Sequence, residues 1–135
     1  MEQFSQYGHA IVSLALWALL VVILSALSTR GRTAENLCEC GKPKRDYSNV
    51  VYRRERAFMN AVETSGPFLA ATMAAILAGA APFWVNLLAS VFLVSRIVKA
   101  VVHIRTENQP LRSASFMVGW VCIILLAGMA VFAVF

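Results

Sequence analysis

The chain has 135 residues, of which 59% are hydrophobic and 14% charged, and its mean hydropathy is +0.69; a soluble domain has an apolar share of about 45–50%. The formal charge of +5 raises nucleic acid as a partner, but nucleic-acid binders spread basic residues over a polar surface, whereas here the basic residues sit in short segments between apolar runs. Composition therefore excludes an ordinary soluble domain, argues against nucleic acid, and predicts an integral membrane protein.

The N-terminal MEQFSQYGHA has no Lys or Arg ahead of the apolar run, so the first apolar segment is expected to be retained rather than cleaved as a signal. Ala10 to Leu27, AIVSLALWALLVVILSAL, holds no ionisable residue and is about long enough to cross a hydrocarbon core of roughly 30 Å at 1.5 Å per residue. It predicts a first helix over approximately 9–28. The connection 29–52 is rich in Arg, Lys, Gly and Pro, and some order is expected in it from the membrane surface or a ligand. It contains Cys38 and Cys40. A structural zinc site usually needs four ligands in paired spacings, and no second pair exists, so no metal is expected and the two cysteines read as reduced thiols in a mobile loop.

Apolar character then runs almost unbroken from Phe58 to Val102, too long for one span, and GAAP at Gly79–Pro82 supplies the break. Helices are expected over approximately 53–78 and 82–103, with a fourth over 113–135. The period-two alternation that barrel strands require is absent. The expected fold is thus an all-α integral membrane bundle of four transmembrane helices, a single domain spanning 1–135.

Eight of the twelve Lys and Arg residues lie between Arg30 and Arg56, and four between Arg96 and Arg112. In a four-span chain both groups flank connections on one side, which the positive-inside rule places in the cytoplasm, with both termini outside. On the second helix, Arg53, Arg56, Asn60, Glu63 and Pro67 share a sector about 80° wide. Arg96, Lys99 and His103 fall within about 60° on the third, and the fourth opens with Arg112, Ser113 and Ser115. All these groups come to the same membrane depth. Arg54 and Arg105 read as interfacial residues that snorkel, but Asn60 and Glu63 lie deeper, where an unpaired carboxylate costs several kcal/mol and usually marks a site. Arginines with one carboxylate and one amide suit a small ligand bearing carboxylates and an amine, such as a zwitterionic peptide, because guanidinium grips carboxylate through two hydrogen bonds.

The segment RRERAFMNAVETSGPFL (53–69) resembles the signature of the membrane-associated proteins in eicosanoid and glutathione metabolism, the MAPEG family: an Arg-rich helix start, then Asn, two residues, Glu, and Pro-Phe-Leu. SRIVKAVVHIRTENQPLRSASFMVGW (95–120) independently resembles the family's third-to-fourth helix segment, especially that of the microsomal glutathione transferases. The resemblance implies a homotrimer with glutathione, as cosubstrate, bound between subunits near the cytoplasmic face. It assigns Arg30, Arg53, Arg56, Asn60 and Glu63 to glutathione binding, Arg112 to stabilising the thiolate, and Ser113 to a place near the sulfur. Lys99 stands where many members have His, and His103 where they have a Tyr that touches glutathione; both are kept as binding positions, since His103 can still donate a hydrogen bond. Phe116 stands where prostaglandin E synthase has a Tyr and where transferase-like members also carry Phe.

The resulting expectation is a glutathione transferase acting on lipophilic electrophiles from the surrounding lipids, with glutathione-dependent reduction of lipid hydroperoxides as a side activity. Its membrane is a bacterial inner membrane or the endoplasmic reticulum. The competing expectation is a non-catalytic protein of the same fold that binds another anionic small molecule or a lipid headgroup. A channel or transporter is disfavoured because the first and fourth helices carry no intramembrane charge.

Overall fold

The computed structural model describes residues 2–135. After one helical turn at Glu2–Ser5 come four long helices, α1 (Gly8–Thr29), α2 (Val50–Leu77), α3 (Pro82–Arg105) and α4 (Gln109–Val134). Among the described residues there is no strand, only an isolated bridge between Leu37 and Pro43 in the first connection. Three of the helices, α1, α3 and α4, are long and apolar enough to cross a membrane. α2 has the length but not the apolarity, because Arg53, Arg54, Glu55 and Arg56 occupy its first turns and Glu63 its middle.

Helix ends follow capping chemistry. α2 starts at Val50, ahead of the expected position 53, because the Asn49 side chain accepts the Val51 amide at 2.9 Å and so satisfies one of the donors a helix start leaves orphaned. Asn108 does the same for Leu111 at 3.1 Å, which starts α4 at Gln109 rather than at Ser113 and brings Arg112 inside the helix. At the other end of α2, Gly79 adopts φ +71°, and Gly79 and Ala80 donate to Ile76 and Ala75, a Schellman turn that a residue with a Cβ would strain. Pro82 then opens α3, where its missing amide proton is not needed.

The inward face of α2 is largely small residues. Ala57, Ala61, Thr64, Phe68, Ala71 and Ala75 are all buried, spaced alternately by four and three, so one stripe of the helix meets α1, α3 and α4 at close range. At mid-bundle Phe68 stacks on Phe92 at 3.7 Å, and Trp17 stands edge-on to both at 6.3 and 5.2 Å. The Trp17 indole donates to Ser65 Oγ at 3.1 Å, removing the penalty of an unpaired N–H in an apolar core. The far end is pinned by Tyr7, whose hydroxyl donates to Ala80 O at 2.7 Å, and by Asn86, which accepts from the Ala10 amide and donates to Gln6 O. Outside, Leu19, Val22, Phe83, Ile124 and Phe132 are more than half exposed, the arrangement of a bundle whose solvent is lipid.

The first connection is ordered by the protein itself. Arg32 pairs with Glu55 at 2.7 Å, Asn36 donates to Gly31 O, and Lys44 N donates to Asn36 O. The expectation of free thiols here is corrected: Cys38 and Cys40 form a disulfide. Gly41, at φ +76°, closes a turn onto Cys38 O while Cys38 N donates to Lys42 O, so the backbone folds back and sets the two α-carbons 5.2 Å apart, inside disulfide range.

α3 and α4 meet through Arg96 and Gly119. The Arg96 guanidinium lies between the rings of Phe92 and Phe116, at 5.2 and 5.1 Å, and donates to Phe116 O at 3.2 Å. A Cβ at position 119 overlaps that guanidinium. Gly119→Ala is therefore expected to destabilise the bundle by about 1–3 kcal/mol, the usual range for overpacking, and Gly119→Val by more; thermal unfolding in detergent measures both.

Candidate functional site

The start of α4 and the ends of the first connection and of α3 enclose a cleft of about 570 Å³, whose wall also includes Arg56 and Asn60 of α2. Arg112, in the first turns of α4, is 8% exposed, and Lys99 and His103 of α3 are 7% and 4%. Lys99 Nζ donates to Arg112 O at 3.1 Å and lies 4.9 Å from the Phe116 ring. Asn60 donates through Nδ2 to Arg56 O at 2.7 Å, which leaves its carbonyl oxygen as an acceptor. Ser113 stands exposed at the rim. Both ring nitrogens of His103 and Arg112 Nη1 are buried without a hydrogen-bond partner among the described residues.

Charge is the main property of this cleft. Arg45, Arg56, Lys99 and Arg112 line it, and among the described residues no Asp or Glu does. Buried or half-buried cations with no countercharge are expensive at membrane depth, and an unpartnered guanidinium nitrogen is a donor in want of an acceptor. An anion that accepts several hydrogen bonds satisfies both demands. Beside it, an apolar groove of about 430 Å³ runs between α3 and α4, lined by Val91, Val94, Val98 and Val118 with Ser90, Ser95 and Ser115. Polar cleft and greasy groove share the first turns of α4.

The α2 stripe divides. Arg56 and Asn60 face the cleft, but Glu63 and Pro67 lie on an exposed face with Gly66 and Ala70, and neither ion pair of the described residues involves Glu63. Arg53 turns the other way. Its guanidinium donates to Tyr47 O at 2.6 Å, Ser48 O at 2.8 Å and Ile104 O at 2.9 Å, and lies 3.6 Å from Glu107, so it fastens the first connection to the end of α3. Arg30 is exposed at the end of α1, and its carbonyl accepts from Arg54. Within one chain, then, Arg56, Asn60, Lys99, His103, Arg112 and Ser113 come together, while Arg30, Arg53 and Glu63 do not line the cleft.

Sequence reasoning passed over Arg45 and Tyr47, which line the cleft from the first connection. Their only sequence signal is position: RDYSN lies just before the Arg-rich start of α2. The turn is set by Asp46, which accepts from Ser48 N at 2.9 Å and Ser48 Oγ at 2.7 Å. The Ser48 hydroxyl, then its amide, hold the Asp46 carboxyl below the usual range. A depressed carboxyl stabilises the turn above its unfolded pKa of about 3.9 and loses that contribution as pH falls through the lower folded value.

Two outcomes are expected. Arg53→Ala removes donors to three carbonyls and is expected to cost about 1.5–3 kcal/mol and to speed proteolysis between residues 31 and 49. The protection of the Ser48 amide from exchange, relative to its intrinsic rate at each pH, is expected to fall on acidification below the ordinary aspartate range, and to lose that dependence in Asp46→Asn.

No curated protein matches the chain. A family model does: that of the MAPEG family covers residues 9–132, a span that contains all four helices except their outermost residues. Three apolar helices, a cationic cleft at their common end and a match over nearly the whole sequence agree, and the chain, a multi-pass integral membrane protein, belongs to the MAPEG family.

Proposed function

We propose that the protein is a membrane glutathione transferase that conjugates glutathione to lipophilic electrophiles. The observation that carries this reading is the buried guanidinium of Arg112, with Nη1 unpartnered, in a cleft lined by four cations and no carboxylate. A free thiol has a pKa near 8.5, so little thiolate exists at neutral pH. A guanidinium beside the sulfur, in a site partly screened from water, favours the charged form.

Arg45 and Arg56 suit the two carboxylates of glutathione, and the Asn60 carbonyl suits a donor on the peptide. Ser113, at the rim, supplies a hydroxyl near the sulfur. The thiol proton leaves to solvent. The thiolate's electron pair then forms the C–S bond as the electrophile's leaving group departs with its own pair, and no side chain is covalently modified. The electrophile reaches the sulfur from the bilayer along the Val-rich groove beside Ser115. With a lipid hydroperoxide the thiolate attacks oxygen and the O–O bond breaks, releasing the alcohol. A second glutathione displaces the oxygen from sulfur, giving glutathione disulfide and water.

The reading includes a homotrimer and a fourth crossing by α2. At 28 residues, α2 is about 42 Å long at 1.5 Å per residue, enough to span while its arginines stay in the interface. Glu63 and Arg30 are exposed and do not line the chain's own cleft. In a monomer Glu63 would be exposed at membrane depth without an ion pair at contact distance, a cost that a neighbouring subunit's cations would lower, and it would supply the countercharge for the ligand's ammonium.

The test is ultraviolet thiolate absorbance on adding glutathione to detergent-purified protein, with turnover of a chromogenic aryl halide. Arg112→Ala is expected to abolish the thiolate signal and lower kcat by about 10²–10³-fold, the loss typical of removing one charge-stabilising donor; undiminished thiolate in the variant overturns the assignment. Glu63→Gln is expected to weaken glutathione binding about tenfold and to loosen the trimer on size-exclusion chromatography. Thermal protection by inorganic anions but not by glutathione decides for a non-catalytic anion binder.

A further inference from the structure

We infer that Tyr47, from the first connection, is a positioning residue for Arg112: its ring holds the guanidinium by its face and leaves the in-plane N–H donors for the ligand. The inference rests on the glutathione reading for its functional consequence, but its geometry stands apart from it. The Arg112 guanidinium carbon lies 4.1 Å from the centre of the Tyr47 ring, the shortest of the four cation–ring approaches among the described residues. A cation over a ring face is attracted by the quadrupole without consuming a hydrogen bond. A carboxylate in the same place would occupy those donors and cancel the charge.

The free donor is visible. Arg112 Nη1 is buried with no hydrogen-bond partner among the described residues, in a residue only 8% exposed. Lys99 of α3 donates to the backbone carbonyl of Arg112. Without Tyr47, the flexible stem leaves the guanidinium free to swing toward water or a lipid headgroup, as basic side chains do at a membrane interface.

Tyr47 is itself held from several sides. Its ring packs edge-on against Tyr52 at 5.0 Å and lies 6.2 Å from His103. Its carbonyl and that of Ser48 accept from Arg53, which also donates to Ile104 O. The chain thus uses Arg53 to bind Tyr47 to the ends of α2 and α3, and Tyr47 to orient Arg112 of α4. Three helices and the connection between α1 and α2 converge on the placement of one guanidinium, and a shift of about 1 Å in such a group is enough to lower a rate substantially.

The test compares wild type, Tyr47→Phe and Tyr47→Leu as full-length protein in detergent. The first measurement is the pH titration of bound glutathione's thiolate absorbance, with affinity from calorimetry. Tyr47→Phe keeps the ring and is expected to titrate within about twofold of wild type, whereas Tyr47→Leu is expected to lower the thiolate fraction at neutral pH about tenfold, with glutathione affinity changed less than threefold. A merely structural role moves affinity and stability together and leaves the thiolate titration in place. A wild-type titration in Tyr47→Leu, or Tyr47→Phe failing like Leu, overturns the proposal.

The second measurement needs no ligand. The Arg112 Nε–H resonance, assigned by its loss in Arg112→Lys, is expected to show an upfield ring-current shift that persists in Tyr47→Phe and disappears in Tyr47→Leu. Its absence in wild type overturns the proposal. A wild type that shows the shift yet binds no glutathione overturns the transferase reading while leaving Tyr47 as the residue that positions Arg112.

Discussion

Arg96, Lys99 and Arg112 are buried between α3 and α4, and neither ion pair of the described residues reaches them. Holding cations in an apolar bundle without carboxylates is costly, and the bundle answers with softer partners. Arg96 lies between two phenylalanine rings and donates to a carbonyl, Lys99 donates to a carbonyl over a ring, and Arg112 lies over Tyr47. Aromatic faces and backbone oxygens lower the cost of burial while leaving positive charge uncancelled. A site able to bind an anion needs that residue of charge, and a fully paired network would have removed it.

The same constraint explains the neighbouring residues. At Gly119 of α4, α3 presents the Arg96 guanidinium against the backbone, so a side chain there requires that guanidinium to shift from between its two rings. The early start of α4 at Gln109, set by Asn108, carries Arg112 onto a rigid helix rather than a loop. The Schellman turn at Gly79 and the tie between Tyr7 and Ala80 fix the opposite end of the bundle, so the cationic end is held by a frame closed on both sides. Catalytic groups hold geometry best when mounted on elements whose own positions are over-determined.

The first connection is a working part of the site. Residues 31–44 form a small hydrogen-bonded unit closed by the Cys38–Cys40 disulfide, and residues 45–48 reach back to the cleft, where Arg53 pins them. Arg53 belongs by sequence to a stripe of ligand-binding candidates, yet here its donors are spent on backbone carbonyls. A side chain with five donors in a rigid fork is equally suited to gripping a carboxylate and to stapling several carbonyls, and only the neighbours decide which.

Much of this was legible in the chain. Membrane residence, the approximate extents of the four helices, the break at Gly79–Pro82 and the gathering of Arg56, Asn60, Lys99, His103 and Arg112 at one end of the bundle follow from hydropathy, helical periodicity and charge placement, which depend on residues within a few turns of one another. The exposure of Glu63 outside the cleft, the diversion of Arg53 to Ile104, fifty-one residues away, and the stacking of Tyr47 on Arg112 depend on where separate helices and a connection meet. Periodicity assigns a residue to a face; it does not say which neighbour lies opposite that face. By itself, the sequence determined that this protein is a multi-helix membrane bundle with basic groups concentrated at one end. The tertiary structure decided which of those groups are tied to carbonyls and rings and which keep a free donor, because hydrogen bonds and ring contacts act over a few ångströms through space and take no account of distance along the chain.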